Sequence, residues 1–317
     1  MAVMTGTRVE APWHLLDATV VRVTQLTPSF VRVTVSAPEL ADLTQGPGDQ
    51  RIKLLLPLAD GSLGAVAQWC RGAADDAADW YGTWRALPSA ERNPMRTYTI
   101  RAVRPLDAEL DIDLVRHGDG GPASRWACAV RVGDRVAVLA PNGRFEGDPG
   151  GYEWRPPTGR CDLLLAGDET AAPAICAILE NLPAGSVATA FIEVPEATDA
   201  LDLGLPEGVT LTWLPRSGAP VGSLLAPAVR AAAAVLVAKD VPGAAAGDEP
   251  DEIDVDTTLL WDAPAAAPTD CPGLYAWLAG EAGVITGLRR HLVRDLGFPR
   301  SAVAFMGYWR LGRPSFD

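Results

Sequence analysis

Lysine and histidine are nearly absent from this 317-residue chain: Lys53 and Lys239 are its lysines, and His14, His117 and His291 its histidines. Three dispersed histidines cannot assemble a histidine metal cluster. The cysteines, Cys70, Cys128, Cys161, Cys176 and Cys271, are odd in number and show no CxxC spacing, which argues against a zinc site and a disulfide framework. No apolar run of about 18 residues occurs. The nearest, "LLAPAVRAAAAVLVA" (224–238), is broken by Pro227 and Arg230, so no membrane insertion is expected. The amino terminus lacks a basic stretch followed by an apolar one, so no secretory signal is expected and the cytosol is the expected compartment. Positive charge is also short: 27 Lys and Arg stand against 40 Asp and Glu, a net charge of −13, which disfavours nucleic acid as a partner. There is no GxGxxG fingerprint and no Ser/His/Asp or paired-carboxylate arrangement. Redox chemistry in such a chain has to come from an organic cofactor.

What is present divides into two halves. Hydrophobic content of 48% and charged content of 21% are ordinary for a globular protein, and the length suffices for two cores. In the first half, 18–26, 29–37, 51–57, 96–103, 109–117 and 135–141 alternate or run apolar between turn signals. They predict an antiparallel barrel or sandwich. Segment 64–94, with Trp69, Trp80, Tyr81 and Trp84, reads as a partly helical cap. Segment 141–160 is rich in Gly and Pro and reads as a linker. Beyond it, strands such as "CDLLLAGDE" and "SVATAFIEV" alternate with helical stretches, which predicts a mostly parallel sheet covered by helices. Domains over 1–145 and 160–317 are therefore expected. The acidic stretch 241–256 reads as a surface loop.

Three stretches carry chemistry. "MRTYTIR" (95–101) reads as a strand that places Arg96, Tyr98 and Ile100 on one face. A guanidinium beside an aromatic ring on a strand face makes sense if an anion and a flat heterocycle lie there. "RHGDGGPASRWA" (116–127) predicts a helix started by Gly121 and Pro122 after a strand. Its first-turn amides, with Ser124, suit a phosphate. "LLLAGDETAAPAICAIL" (163–179) is a buried strand ending at Gly167 before a helix that Asp168 or Thr170 can cap, with Glu169 favouring its positive end. A strand ending "AGE" puts Gly280 and Glu281 at the carboxyl edge of the sheet, where open α/β sheets bind ligands. Near the end, Tyr308 and Trp309 either cover a flat ligand or plug the core.

In order and spacing, these stretches resemble the siderophore-interacting protein family of flavin reductases, related in architecture to ferredoxin-NADP reductases. The resemblance runs from "VVRVTQLTPSFVRVTV" through "QRIKLLLP", "RTYTIR", "HGDGGPASRWA" and "AGDETAAPAI" to "YAWLAGEA" and "GYWRLG". It implies an antiparallel barrel binding FAD and a parallel-sheet domain binding NADH or NADPH. Arg96, Tyr98 and Thr99 match the family's Arg-x-Tyr-Ser/Thr motif that holds the flavin. Val115, His117, Gly121, Ala123 and Ser124 would flank the flavin and its pyrophosphate. Gly167, Asp168, Glu169 and Thr170 match the Gly-Asp-Glu-Thr segment at the dinucleotide site, with Gly280, Glu281 and Trp309 completing it. Ala172 departs from a commonly larger aliphatic residue, and 241–256 looks expanded.

The implied reaction is hydride transfer from nicotinamide to flavin N5, followed by single electrons to the ferric iron of a siderophore, with no acid–base residue required. A flavin or quinone reductase and a non-catalytic flavoprotein are the alternatives. Glu193 or Glu196 could bond a ribose hydroxyl and favour NADH, whereas Arg216 could meet the 2′-phosphate of NADPH. An anionic siderophore needs a local basic patch on so acidic a protein, and Arg51, Lys53, Arg310 and Arg313 are its candidates. The chain is expected to act as a monomer.

Overall fold

The structure is a computed structural model that describes residues 10–71, 80–116, 121–159, 161–240, 261–264, 267 and 273–312. His117, Arg313 and the acidic stretch 241–256 lie outside the described residues.

Seven strands form the first sheet: β1 (Trp13–Gln25), β2 (Phe30–Ser36), β3 (Arg51–Leu55), β4 (Met95–Thr99), β5 (Ala102–Arg104), β6 (Glu109–Val115) and β7 (Arg135–Pro141). Their order is β4-β3-β7-β1-β2-β6-β5, every pair antiparallel. The two edge strands are thus consecutive in the chain. The predicted strand 96–103 is instead two strands, split at Ile100 and Arg101. The Ile100 amide donates to the Gln50 carbonyl at 2.8 Å, and the Arg101 amide to the Asp111 carbonyl at 2.9 Å. One residue therefore pairs toward β3 and the next toward β6, which brings the sheet's edges together as a barrel.

Period-two alternation fills this barrel. On β6, Leu110, Ile112 and Leu114 are fully buried inside. Asp111 and Asp113 on the opposite face are covered by arginines: Arg32 grips Asp113 at 2.7 and 2.8 Å, and Arg104 grips Asp111 at 2.6 and 2.7 Å. The expected aromatic cap is present. Helices α1 (Val66–Arg71) and α2 (Trp80–Ala86) pack Val66 and Trp84 on Leu55 and Ala137, with Trp69 and Trp80 at the rim. Helix α3 (Pro122–Ala129) follows β6.

The second sheet contains β8 (Asp162–Gly167), β9 (Val187–Val194), β10 (Val209–Pro215), β11 (Trp261–Asp262), β12 (Leu274–Glu281) and β13 (Val303–Trp309), in the order β10-β9-β8-β12-β13-β11. All neighbours are parallel except the short edge strand β11. Helices α4 (Ala172–Glu180), α5 (Leu225–Asp240) and α6 (Ala282–Arg289) cover it. Because both faces are covered, β12 is buried at every position: Tyr275 and Trp277 join the α4 layer, while Leu274, Ala276 and Leu278 join the layer of α5 and α6. The strand order reverses between β8 and β12, and the crevice beyond their carboxyl ends is the topological switch point. Phe305 and Met306 are fully buried in β13, so the closing stretch is core strand up to that point rather than a separate plug.

Two expectations about the joins need correction. Residues 142–159 have no helix or strand, as a linker should, but they are stitched to both halves. Gly151 O accepts from the Arg51 amide at 2.8 Å, and the Tyr275 hydroxyl accepts from the Arg155 amide at 3.1 Å. Cys161, just before β8, is disulfide-bonded; pairing depends on proximity in the fold, which scattered cysteines cannot reveal.

Candidate functional site

The register of β4 against β3 resolves the oddity of an arginine beside a tyrosine. Arg96 lies opposite Leu54 and Tyr98 opposite Ile52, and both partners are fully buried. Cross-strand partners share a face, so Arg96 and Tyr98 stand on the barrel's inner side rather than on a solvent face. Tyr98 packs against the barrel core, and burial pushes its phenol up to about 12. Arg96 Nη1 donates to the Met95 carbonyl at 2.8 Å. Thr99 is buried opposite Arg51, while Thr97 faces outward and accepts from Lys53 Nζ at 2.6 Å.

Helix α3 begins as expected, with Gly121 at its N-cap and Pro122 in its first turn. Ala123 packs against the same barrel core as Tyr98, and Ser124 is buried. A Cβ built on Gly121 would meet none of the described residues within 4 Å. An inward aromatic ring, an arginine and a glycine-started helix are chemistry that fits a flavin with its pyrophosphate. Val115, at the end of β6, packs instead against the core of the second sheet.

At the switch point the Gly167–Thr170 tetrad arrives where expected, but its side chains turn on one another. Gly167 is fixed by packing, since a Cβ there would lie 2.5 Å from the Ala279 carbonyl oxygen and from Ala171 Cβ. Asp168 does not cap α4, whose N-cap is Ala171 with no side-chain bond. Its carboxylate accepts from the Thr170 amide at 2.9 Å, the Thr170 hydroxyl at 2.5 Å, the Glu281 amide at 2.8 Å and Trp309 Nε1 at 2.8 Å. This single group ties together the ends of β8, β12 and β13. Burial, followed by the neighbouring Glu169 carboxylate, raises the Asp168 pKa to about 6. Gly280 has φ +148 and lies so close to Asp168 that a Cβ would come within 2.7 Å of Oδ2, so only glycine fits. Glu281 caps α6, accepting from the Val284 amide at 2.9 Å.

Glu169 also has a different partner from the helix end expected for it. It forms a bidentate pair with Arg216 at 2.6 and 2.8 Å, and Arg216 lies 3.6 Å from Glu193 as well. Glu193 is fully buried and accepts from the amides of Gly222, Leu224 and Leu225 at 2.6–3.1 Å. Glu196 is exposed and opens a short 3₁₀ turn through a capping box with Asp199.

The seam between barrel and sheet holds residues that sequence reasoning missed. Arg51, a candidate for the basic patch, pairs with Glu153 at 3.0 Å and lies 4.5 Å over the Trp261 ring. Trp261 stacks on Tyr308 with centroids 6.0 Å apart, and Tyr308 meets Trp277 edge-on at 6.4 Å. Trp277 Nε1 donates to Asp49 at 3.2 Å. The buried Asp49 also accepts from the Glu153 and Trp154 amides at 2.7 and 2.8 Å, and its Oδ1 has no partner. No local motif marks Asp49, Glu153 or Trp261; their roles arise from partners up to 228 residues away. Lys53 is half-buried, and burial, followed by Arg51, lowers its pKa. Arg310 follows β13, next to Trp309. Among the described residues there is no group of His, Cys, Asp or Glu able to hold a metal ion, and no helix is long and apolar enough to cross a membrane.

Comparison with known proteins accounts for both halves. Residues 19–145 match the siderophore-interacting FAD-binding domain, and residues 161–312 match the siderophore-interacting protein model. The uncharacterized protein Rv2895c of Mycobacterium tuberculosis is 32% identical over 310 residues, covering 95% of this chain and 92% of that protein. Ferric vibriobactin reductase ViuB of Vibrio cholerae is 26% identical over 304 residues, with 95% and 90% covered. Among solved structures, a siderophore utilization protein from T. fusca superposes with a TM-score of 0.68 at 28% identity, covering 97% of each chain. A ferredoxin reductase of carbazole 1,9a-dioxygenase shares the fold, with a TM-score of 0.55 at 17% identity over 94% of this chain and 70% of that one.

Proposed function

The chain belongs to the siderophore-interacting protein family and carries that family's FAD-binding domain, and from this premise we propose that it is a cytosolic, FAD-dependent NAD(P)H:ferric-siderophore oxidoreductase. The observation that carries the reading is the continuity of its two halves. Strand β4 pairs with β3, whose Arg51, on the face opposite to Arg96 and Tyr98, leads through Trp261 and Tyr308 to Trp309, and Trp309 bonds Asp168 at the switch point of the parallel sheet. A cofactor held on the barrel and a nucleotide held in the crevice would meet across this seam.

FAD, when bound, supplies the conversion between a two-electron donor and a one-electron ferric acceptor. The residues of the chain bind and orient. Tyr98 offers a ring face for stacking, Arg96 a charge at the barrel's inner side, and the first turn of α3 with Ser124 offers donors for a pyrophosphate. Asp168 fixes Trp309, and through it the edge of the crevice. No side chain here needs to move a proton for iron to be reduced. The likeness to ferric vibriobactin reductase supports a ferric chelate as the acceptor, and a nicotinamide donor supports a cytosolic setting, where that pool is found.

The deciding experiment is anaerobic. FAD-loaded protein would receive NADH or NADPH with a ferric siderophore and a ferrous-specific chelator, and two ferrous ions are expected per nicotinamide oxidised. Free flavin or a quinone reduced at the same rate, with no ferrous iron formed, would instead make this a flavin or quinone reductase.

A further inference from the structure

We infer that the electron donor is NADH rather than NADPH, because the adenosine end of the crevice has its anion-binding groups already occupied by the protein's own carboxylates. This inference rests on the reductase reading above and names the donor within it. In doubly wound sheets the pyrophosphate lies at the first strand's end and the adenosine ribose near the end of the second. There an acid meets a 2′-hydroxyl, or an arginine accommodates a 2′-phosphate. Here the first strand is β8, the second β9 and the third β10.

Arg216, directly after β10, is the arginine so placed. Both of its terminal nitrogens are engaged by Glu169 in a bidentate pair, Glu193 lies 3.6 Å away, and the side chain is only 11% exposed. A guanidinium whose two terminal nitrogens are matched to one carboxylate keeps only its Nε edge for another anion, and its charge is already balanced. The other natural anion site in this neighbourhood is the start of α5. Its amides at Gly222, Leu224 and Leu225 all donate to Glu193, which has no exposure to solvent. The helix terminus thus already carries its anion. Glu196, two residues beyond β9, is an exposed carboxylate in the same region. Three carboxylates against one guanidinium repel a dianionic 2′-phosphate and leave a 2′-hydroxyl unopposed.

The test uses FAD-loaded protein and two probes of the adenosine half, 5′-AMP and 2′,5′-ADP, titrated by calorimetry, alongside kcat/KM for NADH and NADPH. Expected are a kcat/KM at least about tenfold higher for NADH and no tighter binding of 2′,5′-ADP than of 5′-AMP, the loss of one charge-assisted contact setting the scale. Glu169→Gln should loosen Arg216 and tighten 2′,5′-ADP alone. Glu196→Lys, at an exposed position where it removes one capping contact of a short 3₁₀ turn, should move the preference toward NADPH. Tighter binding of 2′,5′-ADP by the unaltered protein, a preference for NADPH, no binding of either probe, or a Glu196→Lys variant with unchanged preference would each overturn the inference. Failure of both nucleotides to reduce the bound flavin, with 5′-AMP still bound, would sink the reductase reading and leave the adenosine-site inference standing.

Discussion

At the inner face of β4, Arg96 donates to a backbone carbonyl of its own strand, Tyr98 packs against the barrel core, and a Cβ on Gly121 at the start of α3 would meet none of the described residues within 4 Å. At the carboxyl edge of the parallel sheet the charged groups hold each other: Asp168 binds four donors, Glu169 grips Arg216 and Glu193 caps α5. The first region brings a guanidinium and an aromatic ring onto one strand face near a glycine-started helix. The second has turned its charged groups into structure, so that whatever binds there meets a surface shaped by the strand ends. Substitution in one region should therefore be read as lost affinity, and in the other as lost stability.

The sharpest way to break this contrast is to remove the busiest carboxylate. Asp168→Ala leaves the buried Glu281 amide and the half-buried donors of Thr170 and Trp309 without an acceptor, and should cost about 3 kcal/mol. A fall in melting temperature of roughly 6–12 °C is expected for a domain of this size, measurable by calorimetry without cofactor. Unchanged stability would show that the edge is not held as described. On the barrel side, Arg96→Ala should weaken FAD binding by about 1.5–3 kcal/mol, or ~10–150-fold, with a smaller effect on the melting of the flavin-free protein than Asp168→Ala. A drop in melting temperature with intact FAD affinity would reverse the comparison.

The seam between the regions gives a pH signature. Burial raises the Asp49 pKa from 3.8 to about 6, and Asp168 moves the same way. A carboxyl whose folded pKa exceeds its unfolded one takes up a proton on folding between those values. Stability should therefore rise as pH falls from about 7 toward about 4, by up to about 3 kcal/mol for Asp49. Asp111, lowered beside Arg104, and Glu109, lowered beside Arg22 and Arg104, withdraw their contribution only as pH falls below the ordinary carboxylate range. Melting temperature is thus expected to be higher at pH 5 than at pH 7.5, with a smaller rise in Asp49→Asn; a fall on acidification, the same in both proteins, would contradict this. The smallest effect concerns the surface. Replacing Lys53 and Arg310 with Ala should raise KM severalfold for an anionic ferric siderophore at low salt, with little change for a neutral acceptor. Equal changes for both acceptors would remove these residues from substrate recognition.

Much of this was legible in advance where the signal was local and periodic. The alternation on β6, the aromatic cap around Trp84, the Gly-Pro start of α3 and the unbroken apolar run of β12 each reflect neighbours within a few residues. The reading failed where a partner was distant. Segment 96–103 looked like one strand, because nothing in it shows that Ile100 and Arg101 pair with opposite edges of a barrel. Asp168 looked like a helix cap, because its actual donors on Glu281 and Trp309 come from strands more than a hundred residues away.

The sequence by itself determined the two kinds of sheet, since alternating strands and strand–helix alternation each bury apolar surface in only one economical way. It also determined where the glycine-proline helix start and the strand end before α4 fall, because both act through their own backbone. The tertiary structure alone decided which charges remain available. Whether Arg216 awaits a phosphate or is already matched depends on Glu169 and Glu193, which share no local pattern with it. The closure of the barrel and the seam from Arg51 to Trp309 were decided in the same way, because burial and pairing of a charged group depend on what the folded chain brings within about 4 Å of it.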